Sequence, residues 1–218
     1  MKGYGKLAHL LLFLAAAPAA SGAAPLTVGE LMQMLGAVES ENARFVETRH
    51  SALLKAPLVT EGTLAYRRPD RVEKHVLSPY DERITVEGGR LTMENRTQNR
   101  KKTVSVSNAP GIAALVESVR ATRAGDLDAL QRHFALQLEG SREQWTLTLT
   151  PLDAELARYV SQLALSGSGA RIGRITVEEA GGDRSVMEIS EGTSGGGRAP
   201  SGKSFRSLPV PPTPPVVQ

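Results

Sequence analysis

Between Gly62 and Met93 the sequence reads GTLAYRRPDRVEKHVLSPYDERITVEGGRLTM, a run of β-formers cut into four short strands by turn residues at Pro69, Pro79 and Gly88-Gly89. Strands joined by so few residues can pair only in antiparallel fashion, so the stretch is expected to be a meander. Alternation puts Leu64, Tyr66 and Arg68 on one face of the first strand and Thr63, Ala65 and Arg67 on the other. An arginine therefore ends an apolar row, at the mouth of a face where a plain core has no use for a guanidinium.

The flanks extend this pattern. From Leu26 to Glu39, Val28, Leu31, Leu35 and Val38 keep helical spacing, and Thr27 with Glu30 forms a capping box. Ala43 to Ser51 follows as a strand with Phe45, Glu47 and Arg49 on one face. Leu91 and Met93 alternate on a fifth strand and Val104 and Val106 on a sixth. The basic stretch Arg96 to Lys102 between them reads as a solvated hairpin tip, with docking on anionic lipid or an acidic partner as the alternative. A helical segment comes next: Asn108 and Pro110 suit its start, Ile112, Leu115, Val116 and Val119 make one stripe, and Gly125 suits its end. Asp126 caps a second short helix through Arg132. These aliphatic rows have no partner nearby in sequence, so they must close over one face of the sheet.

Strands resume with Phe134, Leu136 and Leu138, then with Trp145, Leu147 and Leu149 alternating with Thr146, Thr148 and Thr150. Tyr159 to Ser166 and Ile172 to Glu178 continue the pattern, and Gly181-Gly182-Asp183 turns the chain into Ser185 to Ser190. About eleven strands result, and so many twisted antiparallel strands tend to curl. The expected fold is mainly β with helices (α+β): a curved antiparallel half-barrel of about eleven strands, closed by a helical lid on its concave side.

The ends bound the domain. Lys2 and Lys6, the apolar run Leu7 to Ala17 and the small residues Ser21-Gly22-Ala23 form a signal-peptide pattern, so residues 1–23 are expected to be cleaved and the mature chain to be periplasmic. Residues 24–208 are expected to be a single domain and 209–218 a Pro-rich disordered tail. The formal charge of +3, less the two lysines of the signal, leaves +1 on the mature chain, which excludes a nucleic-acid binder's electrostatics. Cysteine is absent, so disulfides, thiolate metal sites and a lipidated N-terminal cysteine are excluded. Gly197-x-x-x-x-Gly202-Lys203-Ser204 fits the P-loop pattern. No nucleotide is expected there, because Pro209, Pro211 and Pro212 forbid the helix that must follow. The histidines lack metal-ligand spacing, no Gly-x-Ser-x-Gly elbow or His-Glu-x-x-His occurs, and no metal, cofactor or enzymatic activity is expected.

The opening helix, the Phe45-Val46-Glu47 strand, the Arg67-Arg68-Pro69 turn and the proline-broken second strand resemble the periplasmic outer-membrane lipoprotein carriers of the LolA family. Lys203 to Leu208, a short Phe-containing run before a Pro-Pro, resembles that family's last strand, and edge pairing there is the alternative to a mobile tail. The resemblance implies a monomeric carrier that shields acyl chains of lipoproteins, or of a related lipid, and shuttles them from an inner-membrane exporter to an outer-membrane acceptor. The cavity is then expected to be lined by Leu64, Tyr66, Val72, Ile84, Val86, Leu91, Met93, Trp145, Leu147 and Leu149 from the sheet and by Ile112, Leu115 and Val119 from the lid. Arg68 matches the family arginine that latches the lid by hydrogen bonds to helix carbonyls. Two other classes stay open: a regulatory lipoprotein-sensing module of the same fold acting through a protein partner, and a lipid hydrolase using Ser168 or a histidine.

Overall fold

The computed structural model describes residues 25–106, 118 and 120–192. In chain order these form α1 (Val28–Gly36), β1 (Ser40–His50), β2 (Leu58–Arg67), β3 (Arg71–Ser78), β4 (Glu82–Glu87), β5 (Arg90–Asn95) and β6 (Arg100–Ser105). Helical residues 120–124 and α2 (Leu127–His133) follow, then β7 (Phe134–Gly140), β8 (Trp145–Pro151), α3 (Ala154–Ala157), β9 (Val160–Ser168), β10 (Arg171–Glu179) and β11 (Arg184–Glu191). The expected lid residues Ile112, Leu115 and Val119, the signal peptide, and the tail with its P-loop-like match and Lys203 to Leu208 run lie outside the described residues.

All eleven strands join one antiparallel sheet in the order β6-β5-β4-β3-β2-β1-β11-β10-β9-β8-β7. Two meanders, β1 to β6 and β7 to β11, are therefore welded where β1 pairs with β11, Phe45 opposite Ile189 and Glu47 opposite Met187. The sheet is open, with β6 and β7 at its edges, and is not closed into a barrel.

Local chemistry fixes the helices that cover this sheet. The capping box starts α1: Glu30 N donates to Thr27 Oγ1 at 3.2 Å and Thr27 N to Glu30 Oε2 at 2.9 Å. Asp126 starts α2 by accepting from Ala129 N at 3.0 Å, after Gly125 has turned the chain at φ +70°. α3 has four residues, too few to leave a periodic pattern, and only its cap announces it: Glu155 N donates to Asp153 Oδ1 at 2.8 Å.

The core lies mainly on the β7 to β10 half. Leu31 and Leu35 of α1, Leu130 of α2 and Leu156 of α3 pack with Trp145, Leu147 and Leu149 of β8 and with Leu163 and Ile172. A buried leucine contributes about 1.5–3 kcal/mol, so this cluster outweighs any single polar contact in holding helices to sheet. The Trp145 indole N–H is satisfied by donating to Gly169 O at 2.9 Å. A second, smaller cluster, Phe45, Val76 and Met187, sits at the weld.

Gly62 shows how tight that second cluster is. It faces Phe45 across β1 and β2 beside a bulge, and a Cβ there would lie 1.9 Å from His75 O and 2.9 Å from the Phe45 ring. Gly62→Ala is expected to destabilise the domain by about 1–3 kcal/mol through overpacking. Gly29→Ala, in α1 with open space around it, is expected to be neutral or stabilising. Urea unfolding of the two variants beside the parent chain checks both signs.

Candidate functional site: an apolar cavity under the weld

Register places side chains of distant strands in continuous rows on one face of the sheet. One row runs Leu138, Leu147, Leu165, Ile175, Met187, Glu47, from β7 through β11 to β1. On the other meander, Tyr66, Val72, Val86 and Leu91 are successive partners across β2 to β5, as are Leu64, Lys74, Ile84 and Met93. Helical residues 120–124 lie over this face. Between them and the sheet is a cavity of about 240 Å³ whose wall is overwhelmingly apolar.

Of the residues expected from sequence, Leu64, Tyr66, Val72 and Leu149 line this cavity. Ile84, Val86, Leu91 and Met93 share its face but stand on β4 and β5, outside its wall, with Leu91 buried and the others half-buried. Trp145 and Leu147 lie in the packed cluster beneath the helices, at 1% and 0% exposure, instead of facing the space. Residues that sequence reasoning missed complete the wall: Ala43 at the weld, Leu163 and Leu165 of β9, Ile172 and Ile175 of β10, Met187 and Ile189 of β11. Their signal was partly readable, since β9 and β11 alternate. In β10 it was hidden: the register shifts between Ile172 and Arg174, so Gly173 is an extra residue and Ile172 and Ile175, three apart, both face inward.

The covering helix is tied to the sheet by polar contacts at the cavity rim. The Tyr66 hydroxyl donates to Arg123 O at 3.3 Å, and the Arg123 guanidinium carbon stands 5.7 Å from the Tyr66 ring centroid. Arg123 Nη2 is 2.5 Å from Glu41 Oε2 of β1. A second cation on the wall, Lys74, is paired with Glu47, stands 5.1 Å from the Phe45 ring centroid, and shares Glu47 with the Thr60 hydroxyl at 3.5 Å. Arg68 is exposed and does not line the cavity, and its Nη1 donates to Gly36 O, the last residue of α1, at 3.0 Å. The turn after residues 120–124 packs on that same helix end, for a Cβ on Gly36 would lie 3.0 Å from Ala124 O. Among the described residues no group of three acidic, histidine or cysteine side chains is placed to hold a metal ion. No helix among them is long and apolar enough to cross a membrane.

A family model described as outer membrane lipoprotein carrier protein LolA-like matches residues 17–194, and the chain belongs to that family. Similar solved structures include a LolA superfamily protein from Nitrosomonas europaea, at 13% identity and a TM-score of 0.43, covering 76% of this chain and 92% of that one. A putative outer membrane lipoprotein-sorting protein domain from Vibrio parahaemolyticus is similar at 8% identity and a TM-score of 0.43, covering 75% and 89%. MucB of Pseudomonas aeruginosa, in its complex with MucA, is similar at 14% identity and a TM-score of 0.41; the match covers 79% of this chain and 58% of that one. No curated protein matches the sequence.

Tyr66→Phe removes one hydrogen bond from the cover and leaves the ring. The net loss of about 0.5–1.5 kcal/mol is expected to speed amide hydrogen exchange in residues 120–124 by about two- to tenfold, whereas Tyr159→Phe, at an exposed ring, changes nothing there. Residue-resolved exchange on the three proteins checks it.

Proposed function

We propose that the mature protein is a periplasmic carrier that shields the acyl chains of lipoproteins, or of a related lipid, and moves them between the inner and outer membranes. The observation that carries this reading is the apolar cavity between sheet and cover, in a chain of the LolA-like family. Each acyl CH₂ left in water costs about 0.8 kcal/mol, so a carrier needs apolar concave surface and no catalytic group. At about 240 Å³ the cavity exceeds the ~150 Å³ that admits benzene and falls short of the ~300–1,000 Å³ of drug-sized pockets. It accordingly suits a segment of one chain, and a full cargo requires the cover to move off the face.

In this reading Arg68 opposes that opening. It bonds the end of α1 on which the cover's turn rests, and a charged hydrogen bond contributes about 1.5–3 kcal/mol. Losing it shifts the closed-to-open ratio about tenfold to a hundredfold towards open. Cargo favours the open form, so Arg68→Leu is expected to keep the fold, bind a lipidated peptide at least as tightly as the parent, and release it poorly to acceptor vesicles. Arg67→Leu, on the opposite face, is expected to do neither. Affinity and transfer rate for both variants decide the point, and equal behaviour removes Arg68 from the mechanism.

Mass spectrometry of the protein purified natively from periplasm tests the function itself. Lipidated peptide extracted from it supports the carrier, and other lipid supports a related shuttle. An empty protein held by a stable protein partner supports the regulatory module instead. The same preparation is expected to have an intact mass that begins at Ala24, and a retained residue 1 contradicts the cleaved signal.

A further inference from the structure

We infer that one end of the sheet, led by Leu53 and Leu54 of the β1–β2 loop, docks reversibly on a phospholipid bilayer and holds anionic lipid more strongly than neutral lipid. The inference goes beyond the carrier reading and does not rest on it. Register sorts the connections between the two ends of the sheet. His50 faces Arg184, Glu61 faces Ser78, Glu82 faces Asn95, Glu179 faces Val160 and Pro151 faces Phe134. The β1–β2, β3–β4, β5–β6, β8–β9 and β10–β11 connections therefore share one end. Of the seven large hydrophobic side chains exposed among the described residues, Leu53, Leu54, Leu152 and Tyr159 lie in those connections, and none lies in a connection at the other end. A single exposed leucine is ordinary, but apolar tips gathered at one end of a molecule mark a contact surface. Leu53 is 93% exposed and is held so: its N–H donates to Ser51 Oγ at 3.2 Å, and that of Leu54 to Ser51 O at 3.1 Å.

Shape and charge say what covers these tips. Leu53 and Tyr159 stand on separate connections, three to four strand spacings apart, or about 15–20 Å. A protein partner needs a continuous, closely packed patch, whereas a bilayer meets separate tips with one fluid surface. Leucines suit its acyl boundary, and a tyrosine, apolar in the ring and polar at the hydroxyl, suits its headgroup level. Lys55 follows the two leucines, and the β5–β6 tip at the same end carries Arg96, Arg100, Lys101 and Lys102. Among these, the ion pair within the described residues is that of Lys101 with Glu94, at 2.6 Å. The carboxylates of the connections are already engaged, Asp81 by His75, Asp183 by Arg49, Glu155 by Arg158, and Asp153 as the cap of α3. The remaining cations are left to meet lipid phosphates.

The test is co-sedimentation of the whole mature protein, without cargo and at low salt, with vesicles of phosphatidylcholine alone or of phosphatidylethanolamine and phosphatidylglycerol in equal parts. Binding to the anionic vesicles is expected to be at least about fivefold tighter, the scale of one cation near a charged surface. Leu53→Ser is expected to weaken it about tenfold, the scale of one buried leucine, and Lys55→Gln about fivefold on the anionic vesicles alone. Val46→Thr, at an exposed valine within a strand, is expected to change nothing. Because the chain has no cysteine, Leu53→Cys can carry a single environment-sensitive fluorophore, whose emission is expected to shift to the blue on anionic vesicles while the same label at Val46→Cys does not shift. Equal binding by Leu53→Ser and the parent, no preference for anionic lipid, or a label at position 53 that stays in water overturns the inference. Binding to neither vesicle overturns it as well and leaves this end to a protein partner.

Discussion

The pairing of β1 with β11 is the interaction on which the rest depends. It joins residues about 140 positions apart in sequence, Ala43 opposite Glu191 through His50 opposite Arg184, and turns two local meanders into one eleven-stranded sheet. Closing so long a loop is entropically expensive, and eight consecutive residue pairs plus the buried Phe45 and Met187 offset it. The cavity lies under this weld, with Ala43 and Leu64 on one side and Ile175, Met187 and Ile189 on the other. Neither meander alone has a wall on both sides.

Packing on that sheet is uneven, and the unevenness is what leaves a space. Over β7 to β10 the helices bring Leu31, Leu35, Leu130 and Leu156 down onto Trp145 and Leu147 and exclude a void. Nearer the weld the cover presents Ser118, Thr122 and Arg123, whose side chains are short or must keep polar partners, and the face beneath stays unfilled. The wall is apolar with paired charges at its rim, and residues 120–124 are held there by the Tyr66 and Arg123 contacts and by Ala121, which is buried in the main core cluster.

Strand existence and pairing within each meander were legible because period-two alternation and the Pro and Gly turns survive in the sequence from Gly62 to Met93 and from Phe134 to Ser190. The weld was not, since no local pattern says which strands of two meanders will meet. That gap explains why the wall expected from sequence and the cavity coincide only in part: without β11 beside β1, alternation points to Ile84, Val86 and Met93, which lie outward of the cavity, and not to Met187 and Ile189. Trp145 and Leu147 were rightly placed on a strand, but which part of the sheet the helices fill depends on where α1 docks. Arg68 could be located at the row's end by counting; that its acceptor is Gly36 of α1 follows only from the folded chain.

The central claim is that acyl chains occupy the face beneath the cover, and paramagnetic NMR measures this most directly. With methyl-labelled mature protein and a lipidated peptide carrying a nitroxide at its acyl terminus, the account predicts selective broadening of methyl signals from Leu64, Leu163, Leu165, Ile175 and Met187. Those of Val46, Val59 and Leu77, exposed on the opposite face, stay sharp. Uniform weak broadening, or broadening confined to Val46, Val59 and Leu77, contradicts it.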